Sequence, residues 1–190
     1  MNRFIRRAAL FVVALGTVAS VNSASAAIID YQGNIDGQQE GTTSLGTGHA
    51  QVLYDNVAHS MRVIASFQGT TGDTTAAHIH APTPAPFSGT AGVATMTPSF
   101  AGFPLGVKAG TMDTTFDLTQ SSSWNPSYIS ANGGTPASAE AAFFSAMNAG
   151  RAYFNIHTTS VPGGEIRGFL TPAPVPVESA TWSRIKALTQ

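Results

Sequence analysis

Apolar and polar residues alternate along much of this chain with a period of two, the period of strands rather than helices. In "GHAQVLYDNVAHSMRVIASFQG" (48–69), Val52 and Tyr54 alternate with Leu53, and Val63, Ala65 and Phe67 alternate with Ile64 and Ser66. The polar pair Asp55-Asn56 lies between the two runs, so the stretch predicts a β-hairpin. An earlier strand is expected in "IIDYQGNIDGQQE" (28–40), ending at Gly37. "AAHIHAP" (76–82) reads as a short strand stopped by Pro82, Pro84 and Pro86, which lack the N–H a ladder needs. The region 87–135 is rich in Gly, Ser, Thr and Pro. Strands are expected there in "AGVATMT" (91–97), "GVKAGTMDTTFDL" (106–118) and "SYISA" (127–131).

One segment breaks the period. In "TPASAEAAFFSAMNAG" (135–150), Ala139, Phe143 and Met147 recur every four residues, which gives a helix one buried face. Thr135 suits the N-cap, Pro136 the first helical position and Gly150 the C-terminal stop, so a helix is predicted over about 136–149. Alternation returns in "RAYFNIHTTSVPGGEIRGFL" (151–170), read as strand, turn at Pro162-Gly163-Gly164, strand. Phe154 and Ile156 share one face of the first strand, and Tyr153, Asn155 and His157 the other. Across the turn, Ile166 and Leu170 oppose Glu165 and Arg167. An odd-numbered loop such as 160–164 puts His157 across from Arg167 and aligns the polar sets.

Composition narrows the class. Only 10% of the 190 residues are charged and 43% are apolar, which favours a β-rich fold with many turns over solvated helices. The first 26 residues have the form of an export signal: Arg3, Arg6 and Arg7, an apolar stretch from Ala8 to Val21, then Ala24-Ser25-Ala26. That stretch is short for a membrane span, which takes about 20 residues. The expectation is a secreted or periplasmic protein whose mature chain begins near Ala27 and has no membrane span. Losing three of nine Lys and Arg leaves six against ten Asp and Glu, moving the net charge from −1 to −4. This balance points away from nucleic acid and anionic membranes. With 0 Cys, disulfides and thiolate chemistry are excluded, so any metal site must use His and carboxylates. The Pro-rich segment 173–190 is expected to be an extended tail after a domain spanning 27–172.

Read in order, "IDGQQE", "AAHIHAP" and "AGRAYFNIHTTSVPGGEIRGFL" resemble the motifs of the CHRD domain, the module named after chordin, over roughly residues 28–171. The resemblance is to the free-standing bacterial type. It implies a mainly β fold, an immunoglobulin-like or superoxide-dismutase-like antiparallel β-sandwich or barrel with one short helix. The tail "PVPVESATW" is faintly similar to the start of a PEP-CTERM sorting tail, but its core reads Pro176-Val177-Glu178-Ser179.

Candidate chemistry centres on histidine. On a strand, His78 and His80 point the same way about 6.6 Å apart, with Ile79 turned into the apolar layer. His157 is the natural third ligand if its strand is a neighbour, and three imidazoles suit copper or zinc. Glu165, Arg167, Tyr153 and Asn155 are candidates for an outer shell, with Glu165 orienting an imidazole and Arg167 pairing with Glu165. The competing reading makes the same residues a buried hydrogen-bond network that only specifies the fold. His49 and His59, at strand ends or turns, are discounted. "GTTGDTT" (69–75) lacks a phosphate-loop lysine, and no Ser sits in a nucleophile elbow. Three functions remain open. One is an exported binding module with a His-built copper or zinc site. Another is a metal-free extracellular adhesion or matrix module that binds protein or glycan through its loops. The last is a dismutase-like redox enzyme.

Overall fold

A computed structural model describes residues 28–174; the candidate export signal and all but the start of the Pro-rich tail lie outside the described residues. The elements run β1 (Ile28–Asp36), α1 (Gly37–Glu40), β2 (Thr47–Asp55), β3 (Ser60–Gln68), β4 (Thr74–His80), β5 (Gly110–Asp117), α2 (Pro126–Ala131), α3 (Pro136–Asn148), β6 (Tyr153–Thr158), β7 (Ile166–Phe169) and β8 (Thr171–Pro172). All strands pair antiparallel in one curled sheet of order β4-β6-β7-β1-β2-β3-β5, with β8 added to β1. This is the mainly β, sandwich-like or barrel-like architecture expected of the sequence. None of the described helices is long and apolar enough to cross a membrane.

The period-two pattern explains the core. Val52 on β2, and Val63, Ala65 and Phe67 on β3, turn inward, while Ser66 between them faces solvent. Ala77 and Ile79 on β4, Met112 and Phe116 on β5, and Phe154 and Ile156 on β6 line the same interior. Helix α3 covers it with Ala139, Phe143 and Met147, each 0% exposed, packed with Trp124 and Tyr128. Its start is as expected: the Thr135 hydroxyl accepts from Ser138 N, Ser138 bonds back to Thr135 N, and Pro136 opens the first turn.

Several expectations need correction. The protein has three α-helices among the described residues, not one. "SYISA" lies in α2, capped by the Asn125 side chain with Pro126 in its first turn, and "GQQE" forms α1, capped by Asp36. "AGVATMT" is not a strand; it makes only isolated bridges, Val93 to His80 and Thr95 to Trp124. The segment from Ala81 to Ala109 instead lies along the free edge of β4. Ala94 N, Phe100 N and Gly106 N donate to the carbonyls of Ile79, Ala77 and Thr74. An edge strand that would otherwise be open to pairing is thereby covered. In the β6–β7 hairpin, Arg167 lies opposite Asn155, not His157. The slip is two residues, an even number, so the same side chains keep the same face.

Candidate metal centre

The histidines are brought together by the pairing of β4 with β6. Ala76 lies opposite His157, His78 opposite Asn155 and His80 opposite Tyr153. Ile79, Phe154 and Ile156 fill the core on one face of this pair, which leaves His78, His80 and His157 together on the other. One ring nitrogen from each lies within 4.8 Å of the others, and the ring centroids are 5.1–5.8 Å apart. His78 and His80 are buried and His157 partly so.

Each imidazole is held by a main-chain carbonyl. His78 Nε2 donates to Pro98 O at 2.6 Å, His80 Nδ1 to Ala91 O at 2.9 Å and His157 Nδ1 to Pro162 O at 2.9 Å. A carbonyl only accepts, so the hydrogen of each neutral ring sits on the bonded nitrogen and the other nitrogen carries a lone pair. Those remaining atoms, His78 Nδ1, His80 Nε2 and His157 Nε2, are shielded from solvent and have no hydrogen-bond partner. Burial lowers the pKa of all three, His80 to about 4, and their mutual proximity opposes protonation of His78 and His80 further. At neutral pH the cluster therefore offers three uncharged nitrogen donors.

Around the triad, the outer-shell candidates behave differently from one another. Tyr153 stacks on His80 with ring centroids 4.9 Å apart and 9° between planes. Arg167 lies over the Tyr153 ring, its guanidinium carbon 4.8 Å from the centroid. Arg167 does not pair with Glu165. It lies 3.4 Å from a carboxylate oxygen of Glu40 on α1 and donates to Gln39 O and Gly89 O. Nor does Glu165 orient an imidazole. Its carboxylate accepts from Ser44 Oγ, Thr158 Oγ1, Thr71 N and Gly72 N, because its side chain turns toward the loops after α1 and β3. Burial raises the pKa of Glu40, and Arg167 and Asn155 beside its carboxylate oppose that rise in part.

Sequence reasoning missed the three carbonyls and the role of Glu40. A carbonyl occurs on every residue and leaves no mark in a sequence. Glu40 at least stood in the "IDGQQE" motif. His59, discounted above, holds the buried Glu140 of α3 through Nδ1 at 3.0 Å, and Tyr54 OH donates to the same carboxylate at 2.8 Å. His49 lies on β2, opposite Ser66 of β3, and is not part of the triad.

No curated protein and no solved structure matches the chain. The model of the CHRD domain family matches residues 31–170, a span that begins on β1, ends just after β7 and contains all three histidines. Covering well over half of the sequence and all of the strands β2 to β7, this match makes the chain a member of the CHRD-domain family.

Proposed function

We propose that this protein is an exported binding module that holds one copper or zinc ion on His78, His80 and His157. The CHRD domain fits a binding module. The observation that carries the metal reading is the cluster of three imidazoles close enough to share one ion, each with a buried ring nitrogen that has no hydrogen-bond partner. An unpaired buried polar atom costs about 1–3 kcal/mol, so three in one cluster argue for a ligand that takes their lone pairs. The opposite nitrogens, each tied to a carbonyl, have the outer-sphere bond typical of metal-bound histidine. Export rests on the basic, apolar and small-residue pattern of residues 1–26.

Metal analysis of protein purified without chelator or affinity tag tests the reading. One copper or zinc per chain is expected, lost in His78→Gln and His80→Gln variants that keep the far-ultraviolet circular dichroism of the parent. A protein that stays metal-free when both ions are offered returns the triad to a structural role.

A further inference from the structure

We infer that the triad selects copper in its monovalent, cuprous state over zinc and over divalent copper. The inference rests on the metal reading above and follows from ligand number and charge. Among the described residues the cluster comprises three ligating side chains and gathers no fourth His, Cys, Asp or Glu. The three lone-pair nitrogens are also shielded from solvent. Zinc closes structural sites with four protein ligands, or takes three and a water in catalytic ones. Divalent copper prefers a tetragonal set of four or more. Cuprous copper, a filled-shell ion, is satisfied by three donors in a plane.

Charge points the same way. All three ligands are neutral imidazoles, and the cluster itself holds no carboxylate that would offset a divalent ion. Glu165 is occupied by four hydrogen bonds of its own, and Glu40 lies against Arg167. Arg167, one ring behind His80 across Tyr153, is itself balanced by Glu40, so this pair adds no negative charge for a divalent ion. The cost of burying an ion rises with the square of its charge, so a divalent ion incurs about four times the desolvation of a monovalent one in the same pocket. With no anion to compensate, the monovalent ion is favoured.

Anaerobic competition on the purified full-length chain decides the matter, with bicinchoninate as the cuprous competitor and zinc sulfate as the rival ion. The expected result is one cuprous ion per chain, silent in electron paramagnetic resonance and undisplaced by an excess of zinc of about 100-fold. X-ray absorption should show three nitrogen neighbours and no fourth. Displacement by equimolar zinc, uptake of divalent copper that resists ascorbate, or a fourth light neighbour overturns the cuprous assignment and leaves the metal reading standing. Failure to bind any of these ions, or uptake unchanged in folded His80→Gln and His157→Gln, overturns both. Should those variants misfold, the neighbour count on the parent protein still decides.

Discussion

Glu165 is 0% exposed, yet its carboxylate is held ionised. Burial by itself raises its pKa, and the donors from Ser44, Thr158, Thr71 and Gly72 outweigh that effect, bringing it from 4.5 to about 2. The folded pKa lies below the unfolded one, so the stabilisation is full above about pH 4.5 and is lost as the pH falls toward 2. Glu165→Gln should cost about 1–3 kcal/mol near neutrality, since the amide nitrogen replaces one carboxylate oxygen and cannot accept the backbone N–H, of Thr71 or of Gly72, that this oxygen bonds. In urea melts across this range, the gap between parent and variant should close with acidification. A gap that stays constant with pH would refute the ionised cage. That Glu165 is buried and polar follows from strand alternation, but its partners come from loops distant in sequence. Its pairing with Arg167, drawn from a shared strand face, therefore failed.

At the scale of elements, strong local signals decide the structure. Thr135-Pro136 caps α3 as expected, and Thr135→Ala should cost about 1 kcal/mol in thermal melts. Asn125-Pro126 carries the same signal before α2, yet "SYISA" is too short for periodicity to separate helix from strand. The close approach of β7 to β1 depends on glycine: a Cβ at Gly168 would strike the Asn34 carbonyl oxygen. Gly168→Ala should accordingly destabilise the protein by about 2–4 kcal/mol, as overpacking against unyielding backbone does. It should also loosen the β1–β7 contact, read as faster amide exchange in β7. Unchanged exchange and stability would mean that the strands separate without cost.

Across the whole molecule, the triad depends on three chain segments: β4, β6 with its following turn, and the long segment between β4 and β5. The last supplies the carbonyls of Ala91 and Pro98 while covering the β4 edge. A metal on the triad therefore links that segment to the sheet through His80 and His78. At a free metal concentration about 100 times the dissociation constant, the gain in stability is about 2.7 kcal/mol, so the melting temperature should rise by several degrees. Cleavage by protease within residues 82–99 should slow in parallel. Thermal stabilisation without protection of this segment would show that the carbonyl anchors do not transmit binding.

By itself the sequence determined the β-rich class, the helix read as about 136–149 and found over Pro136–Asn148, the common face of His78 and His80, and the two polar faces of the final hairpin. Each depends on periodicity or on chemistry within a few residues, which a chain displays directly. The tertiary structure decided that β4 and β6 are neighbours, that their pairing places His157 beside the other two, and that three carbonyls fix the ring tautomers. It also sent Glu165 and Arg167 to different partners. Those outcomes depend on the pairing of strands far apart in the chain and on backbone atoms common to every residue. No pattern of side chains encodes them until the sheet closes.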